Sequence, residues 1–415
     1  MNLKKPFDSE LFRASFILLV LMNVANILNY VFHFVMGRML GPSDYGILAV
    51  LTSMIYIFSV PTASIQTLVA KYTTNFKVRE EHGKIKGMLK IMVLEAILLA
   101  AILFVLFCFC AIFLAGYLKI SFWILCLTGF YLFVAFLSPI GIGILQGLKK
   151  FSVLGWNTIL NSSIKIIIAI ILVLFGFGIY GPVIGFILGT FISFLFIFPF
   201  IKEITNSEEI TERKAIISRS SLSTLISIFI ITLMYSLDII FAKILFSADL
   251  AGKYAVASMI GKIILFGTAS INNAMFPISS ERFLKTDKEK TKGIITKTFF
   301  IISLLCLIAI AFLGIFPKFV VGLLFGSKYL EISGIMVYIG IAFTMLSLTN
   351  TWVLYKLSIE EFRIRHAGIL VIFLIMQVTA FILFSQNISS FTLAFMFSTV
   401  ITFLGSILLI RQRKQ

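Results

Sequence analysis

Twelve long apolar runs dominate the sequence and restrict the folds open to it. A helix needs about 20 mostly apolar residues to cross a bilayer core of about 30 Å, and each run is about that long or longer. With 60% of residues hydrophobic and 13% charged, no soluble domain fits between the runs. The sequence therefore predicts an all-α integral membrane protein with twelve transmembrane helices. We place them at about 14–36, 47–70, 89–115, 121–146, 153–175, 182–201, 222–246, 254–276, 294–316, 331–355, 366–385 and 390–410. Gly41 and Pro42 predict a turn between the first two helices, and Pro61 predicts a bend in the second.

The Lys and Arg residues behind the net charge of +17 lie mostly in alternate segments between these runs. If both termini are cytoplasmic, 27 of the 35 Lys and Arg residues fall in cytoplasmic segments, six in outer segments and two within runs. Membrane proteins keep their excess Lys and Arg on the cytoplasmic side. We therefore predict cytoplasmic N- and C-termini in a plasma-membrane protein, and the charge gives no reason to expect a nucleic-acid partner.

The two halves of the chain resemble each other. A shift of 206 residues lays Gly46 on Gly252 and the tetrapeptide Thr62-Ala63-Ser64-Ile65 on Thr268-Ala269-Ser270-Ile271. Each half holds six predicted helices, so the halves keep the same orientation in the membrane. Parallel repeats of this kind are typical of transporters that bind their substrate between the halves.

The duplication predicts two lobes around a central hydrophilic cavity. The N-lobe is residues 1–201 and the C-lobe is residues 222–415. The polar segment 202–221 between them is predicted to be a cytoplasmic linker.

Several polar side chains lie inside or at the ends of the predicted helices, where a central charge costs about 2.5–3.5 kcal/mol. We predict His33 and Asp238 as ion-coupling candidates, because each lies at the same depth in the first helix of its half. Two interpretations stay open for the polar residues: they line a cavity, or they join helices. For Lys262, a structural pair with Asp238 is a further alternative. The predicted substrate-binding residues of the cavity are Lys165, Lys262, Arg38, Lys243, Asn29, Asn157, Asn161 and Asn273.

The sequence lacks the motifs of common membrane enzymes. It has no phosphate-binding Gly-x-x-x-x-Gly-Lys-Ser/Thr segment and no metal-binding cluster of His and Cys. A membrane glycosyltransferase would need carboxylates or a sizeable loop on the outer face, but the outer segments hold only Asp44, Asp249 and Glu331. We therefore expect no enzymatic activity, no cofactor and no metal.

Short segments at the helix ends resemble those of a known family. They are residues 37–46 (GRMLGPSDYG), 146–147 (QG), 176–181 (GFGIYG), Asp238 with 251–254 (AGKY), and 324–329 (LFGSKY). In these segments the sequence is similar to the Wzx-like polysaccharide flippases, a branch of the multidrug/oligosaccharidyl-lipid/polysaccharide exporter (MOP) superfamily. It departs from the family pattern at residues 385–390, which lack the usual glycines, and the eleventh helix has no lysine matching Lys165.

The resemblance implies a flippase for an oligosaccharide carried on a polyprenyl mono- or diphosphate. In such a cavity Lys165 and Lys262 can hold the phosphates while Asn side chains bond sugar hydroxyls. The implied partners are the lipid-linked oligosaccharide, the bilayer and glycan-assembly enzymes, and we expect a monomer. Two alternatives stay open: a cation-coupled exporter of drugs or metabolites that uses Asp238 and His33, and a membrane scaffold that transports nothing.

Overall fold

The computed structural model describes residues 9–210, 219–284 and 288–410, and within them every regular element is helical. Eleven helices of this part are long and apolar enough to cross a membrane. The first of these spans, Val20–Phe58, has 39 residues, about twice the length that a bilayer core requires. Divided at Gly41, it holds the first predicted helix and the start of the second. The predicted all-α membrane fold is confirmed, and the twelve-helix layout fits it.

The helices of the first half follow the predicted runs closely. A short 3-10 turn, Phe198–Ile201, follows the sixth of them. The helices are α1 (Ser9–Phe58), α2 (Thr62–Val78), α3 (His82–Leu118), α4 (Phe122–Gly147), α5 (Phe151–Leu174), α6 (Tyr180–Ile197) and α7 (Lys202–Thr205).

The second half adds short elements that the hydropathy pattern does not predict. The segment between the ninth and tenth predicted helices contains a nine-residue helix and a 3-10 helix, Ser327–Ile335. The helices are α8 (Arg219–Leu245), α9 (Ala248–Gly267), α10 (Ala269–Leu284), α11 (Lys288–Ile315), α12 (Pro317–Phe325), α13 (Met336–Ser358), α14 (Ile364–Leu383) and α15 (Ile388–Leu409).

A single glycine divides α1. Gly41 has φ 76° and ψ 176°, and the residues on both sides of it are helical. The sequence predicted a turn of several residues here, but the helix resumes at once with Pro42. Proline fits the first turn of a helix because the amide hydrogen that it lacks has no partner there. The connection between the first two transmembrane helices is therefore one residue long.

The second transmembrane helix is interrupted at Pro61. Helix α1 ends at Phe58 and α2 begins at Thr62. The Thr62 hydroxyl donates to the backbone carbonyl of Ser59 at 2.6 Å, which satisfies one acceptor exposed by the break. The sequence predicted a bend at this proline, and the structure shows a full interruption.

The equivalent helix of the second half is interrupted at Thr268, one residue after the equivalent of Pro61. Helix α9 ends at Gly267 and α10 begins at Ala269, on either side of Thr268. The Thr268 hydroxyl donates to the Leu265 carbonyl at 2.8 Å, repeating the contact that Thr62 makes. The identical tetrapeptides therefore follow the break in the first half and contain a one-residue interruption in the second, across which the Thr268 amide still donates to the Ile264 carbonyl at 3.3 Å.

By packing, the chain forms two compact units. The first comprises Met1–Leu40 and Phe58–Ile217, and the second comprises Gly41–Ile57 and Ser218–Gln415. The segment Gly41–Ile57 thus packs with the second unit although it belongs to the first half of the sequence. The predicted lobes 1–201 and 222–415 stay a prediction. Residues 211–218 of the predicted linker, and the two termini, lie outside the described residues.

In the first unit, α4 is the central helix and packs against α2, α3 and α6. The segment after α7 lies on the first turn of α3. The Ile210 amide donates to the Gly83 carbonyl at 3.0 Å, and Lys86 Nζ donates to the Ser207 carbonyl at 2.8 Å. Lys90 and Glu209 form a salt bridge of 2.9 Å. The beginning of the predicted linker is therefore fixed to α3.

In the second unit, α13 is the central helix and packs against α15, α11 and α9. Its neighbours include the described part of α8, which packs against α14 and α9. Helices α4 and α13 are the fourth and tenth transmembrane helices, so each half places its fourth helix at the centre of its unit. Both are mostly buried within the protein.

Candidate functional site

Lys165 of α5 is buried among aromatic rings in the first unit. Its ammonium lies 4.7 Å from the ring centre of Phe32 and 4.6 Å from that of Phe186. Its third partner is the Asn29 side-chain carbonyl, to which Nζ donates a hydrogen bond. Within the described residues no carboxylate lies within salt-bridge distance of it. The structure thus brings two predicted site residues, Lys165 and Asn29, into contact and surrounds the cation with rings rather than acids.

The other two asparagines of α5 differ in their surroundings. Asn157 is buried and its amide donates to the Ser193 carbonyl of α6, which is the helix-joining alternative left open by the sequence. Asn161, one turn closer to Lys165, is half-buried and faces a cavity. Of the two, only Asn161 presents its side chain to open space.

This cavity, about 130 Å³, lies within the first unit. The interrupted second helix provides three of its polar residues: Ser59, Thr62 and Gln66. Tyr131, Ser138, Asn161 and Thr190 complete the polar lining from α4, α5 and α6. Ala135, Pro139 and Ile142 form the apolar part. The cavity is therefore lined by hydroxyls and amides without a charged group.

The second unit holds a buried pair of opposite charges. Asp238 of α8 and Lys262 of α9 are each 0% exposed, and Lys262 Nζ lies 4.0 Å from Asp238 Oδ1. The other carboxylate oxygen accepts hydrogen bonds from Ser258 and, at 3.4 Å, from the Tyr254 hydroxyl. The Tyr235 ring centre lies 6.0 Å from the ammonium. The pair that the sequence offered as an alternative is present in the structure.

The remaining predicted site residues are spread over both units. In the first unit, Arg38 is exposed, whereas His33 is buried with its imidazole edge-on to Phe32, 5.2 Å between ring centres. In the second unit, Lys243 is buried and Asn273 is exposed. His33 and Asp238 lie in different compact units, so their pairing as ion-coupling residues stays a prediction.

Sequence reasoning missed the role of Asn272. It lies 206 residues after Gln66, so it occupies the equivalent place in the second half. Gln66 donates to the Gln146 side chain at 2.9 Å, while Asn272 is 1% exposed and neither side-chain atom has a hydrogen-bond partner among the described residues. The repeat offset could have identified it. The predicted cavity residue was its neighbour Asn273, which is exposed.

Residues of three sequence motifs, 37–46, 251–254 and 324–329, meet one another in the second unit. Tyr45 is buried against Phe325 and Tyr329, with ring centres 5.5 Å and 6.3 Å away. Between two further motif segments, Gly46 faces Gly252 so closely that a Cβ on Gly46 would lie 2.8 Å from the Gly252 Cα. These motif residues therefore pack the fold together, and their side chains are not available to a ligand.

The sequence matches a family model described as polysaccharide biosynthesis protein over residues 35–334. This match covers most of the chain. The chain belongs to the polysaccharide biosynthesis protein family. Membership agrees with the resemblance to Wzx-like flippases, and no curated protein matches the sequence.

Solved structures show that this family member has the fold of MOP-superfamily transporters. The inward-facing structure of a multidrug resistance MATE family transporter matches 93% of this chain and 94% of its own, with a TM-score of 0.71 and 15% identity. The structure of a MATE protein bound to MaL6 matches 96% of this chain and 95% of its own, with a TM-score of 0.64 and 15% identity. A third structure is that of a MOP-superfamily transporter from Pyrococcus furiosus, described by the reverse polarity of its binding pocket. It matches 96% of this chain and 95% of its own, with a TM-score of 0.61 and 16% identity.

Proposed function

We propose that this protein moves a lipid-linked oligosaccharide from the cytoplasmic to the outer leaflet of the plasma membrane by alternating access. The observation that carries the proposal is the pair of helix interruptions at residues 59–61 and at Thr268. In transporters built from repeats, helices interrupted at matching positions are the best indication of the substrate site. Broken helices at membrane depth occur only where the freed backbone is buried or lines a cavity.

The polysaccharide biosynthesis family supports a glycan as cargo. Translocation changes no covalent bond, so the proposal requires a binding site and no catalytic group. It also retains the predicted monomer, the cytoplasmic termini and the glycan-assembly enzymes as suppliers of the substrate.

Lys165 and Lys262 are the proposed partners of the phosphate groups. Each lies inside the transmembrane helices with a partner from the protein: rings and Asn29 for Lys165, and Asp238 for Lys262. A hydrogen bond between an ammonium and a phosphate is stronger than one to a neutral amide. Arrival of a phosphate would therefore draw Lys165 away from Asn29 and from its rings.

The test is transport of a fluorescent polyprenyl-diphosphate oligosaccharide in proteoliposomes. Lys165→Met and Lys262→Met keep the side-chain length and remove the charge. We expect each to lower the flipping rate at least 10-fold, while Lys318→Met, at an exposed position of α12, leaves it unchanged. If the wild-type protein moves no such lipid, the proposed function is wrong; if both variants flip at the wild-type rate, the phosphate assignment is wrong.

A cation-coupled exporter of drugs or metabolites is the second candidate, and Asp238 favours it. One carboxylate oxygen of this buried side chain has no hydrogen-bond partner among the described residues, so it can accept a proton or a small cation. Drug resistance that is lost in Asp238→Asn cells, together with unchanged surface glycan, would favour this candidate over the flippase.

A further inference from the structure

The cavity of the first unit lies near the middle of the helices that line it. Asn161 is the eleventh of the 24 residues of α5, and Thr190 is the eleventh of the 18 residues of α6. Tyr131 lies similarly in α4. A polar cavity at this depth is costly to maintain unless something polar occupies it, because hydroxyls and amides lose their hydrogen bonds to water there.

The lining offers no charge to a ligand. The nearest lysine along α5 is Lys165, four residues after Asn161, and it is the proposed partner of a phosphate, so it does not serve a second anion in the cavity. A carboxylate or phosphate in the cavity would thus lack a counter-ion, and a buried unpaired charge is strongly unfavourable. The cavity favours an uncharged ligand.

Hydroxyls dominate the polar part of the lining, and each can both donate and accept a hydrogen bond. The hydroxyls of a sugar have the same dual capacity, so the two sets can satisfy each other in many orientations. Tyr131, which is buried, adds a phenolic hydroxyl to this lining. Ala135, Pro139 and Ile142 supply an apolar wall, which suits the C–H face of a pyranose ring.

The cavity volume limits the ligand to about one ring. Sites that enclose a drug-sized molecule measure about 300–1,000 Å³, and this cavity measures about 130 Å³. A disaccharide would have to extend beyond it. One sugar residue would occupy the cavity while the rest of the glycan lies outside.

The two helix interruptions differ in what lies beside them, a cavity in the first half and a protein hydroxyl in the second. Thr62 is half-buried and lines the cavity. Its equivalent, Thr268, is buried and its hydroxyl lies 2.6 Å from that of Ser347 on α13. The break in the first half is therefore open to a ligand, while a protein hydroxyl occupies the corresponding place in the second half.

We propose that the cavity formed by the α1–α2 break with α4, α5 and α6 binds one uncharged pyranose of the transported glycan, selecting it against uronic acids. This inference rests on the proposed function. It adds a specificity site that is separate from the proposed phosphate partners.

The experiment compares two synthetic lipids that differ in one group: farnesyl diphosphate linked to glucose, and the same lipid linked to glucuronic acid. Binding to the purified protein in nanodiscs is measured by titration at fixed pH. We expect the glucose lipid to bind at least 10-fold more tightly. Equal binding of the two lipids, or no binding of either, would overturn the proposal.

Variants locate the binding to the cavity. Asn161→Leu and Thr190→Val remove one amide and one hydroxyl with little change in volume, and each should weaken the glucose lipid 5- to 20-fold, a range of about 1–2 kcal/mol. Thr128→Val is the matched control, since this buried threonine of α4 donates to Ile124 of its own helix and does not line the cavity. Thermal melting of each variant shows whether it is folded. If folded Thr190→Val and Asn161→Leu both bind as the wild type does, the cavity is not the sugar site.

The same lipids distinguish this inference from the proposed function. Flipping of lipid-linked glucose by the wild type, together with unchanged affinity in both cavity variants, would overturn the sugar site alone. A wild type that binds the glucose lipid selectively and flips neither lipid would overturn the flippase and leave the sugar site standing. A protection assay adds a second readout: Ser138→Cys should be shielded from a thiol reagent by the glucose lipid and not by the glucuronic acid lipid.

Discussion

Gly46 and Gly252, which are equivalent residues of the internal repeat, lie directly against each other. A Cβ on Gly46 would lie 2.8 Å from the Gly252 Cα and 3.0 Å from its backbone nitrogen. A Cβ on Gly252 would overlap the backbone carbonyl of Pro42. Backbone atoms cannot move aside as a flexible side chain can, so glycine is required at both positions. The contact joins α9 to the stretch of α1 that follows Gly41.

Replacing either glycine should therefore destabilise the second unit. We expect Gly252→Ala to lower the free energy of unfolding in detergent by about 1–3 kcal/mol, the usual cost of overpacking, and Gly46→Ala to cost less. The measurement is a thermal or denaturant melt followed by Trp fluorescence. Gly368→Ala in α14 is the control, because nothing lies within 4 Å of its added Cβ and alanine favours the helix. Equal melting of all three variants would contradict the contact.

The buried pair Asp238 and Lys262 should behave as one unit in a double-mutant cycle. Lys262→Met or Asp238→Asn alone leaves one uncompensated buried charge, and such changes cost about 3–5 kcal/mol. The double variant removes both charges and should recover most of the stability. The measurement is the unfolding midpoint of the four proteins; losses that simply add would show that the 4.0 Å contact carries little energy.

The contact of the segment after α7 with α3 depends on Gly83. A Cβ there would overlap the backbone carbonyl of Glu208, so Gly83→Ala should displace residues 207–210 and break the 3.0 Å hydrogen bond from Ile210. Faster amide hydrogen exchange at Ile210 would report the loss. Gly116→Ala, in the same helix with nothing within 4 Å of its Cβ, should leave that exchange rate unchanged.

The orientation inferred from the Lys and Arg distribution can be tested with two matched positions. Lys119 and Lys149 are both exposed and both have a positive φ, 52° and 61°, so cysteine should perturb them equally. In a protein whose four native cysteines are replaced, we expect an impermeant thiol reagent added to intact cells to label Lys119→Cys and not Lys149→Cys. The reverse pattern would invert the predicted topology.

The helices were predictable because apolar length is a direct requirement of the bilayer. The breaks within the helices were less predictable. Gly41 was expected to lie in a longer turn, and Pro61 to bend the helix rather than end it, since the sequence does not show how neighbouring groups satisfy the freed backbone atoms. The short helix α12 lies outside the hydropathy pattern because it does not need to cross the membrane.

The candidate site was predictable in composition and less so in its contacts. Intramembrane Lys165 and Asp238 were identified by the cost of burying a charge, which a sequence reveals. The sequence does not reveal that Lys165 contacts two phenylalanine rings. It has 45 Phe residues, too many to suggest a particular pair. Asn272, and not the predicted Asn273, is the buried amide of α10.

The two buried lysines differ in how the membrane potential acts on them. Lys262 lies beside Asp238, so moving both together transfers no net charge across the bilayer. A protonated Lys165 has only neutral partners, Asn29 and two rings, and a full crossing by one charge is worth about 2.3 kcal/mol per 100 mV. Displacement of a protonated Lys165 along the membrane normal would therefore respond to voltage, whereas displacement of the Lys262 and Asp238 pair would not.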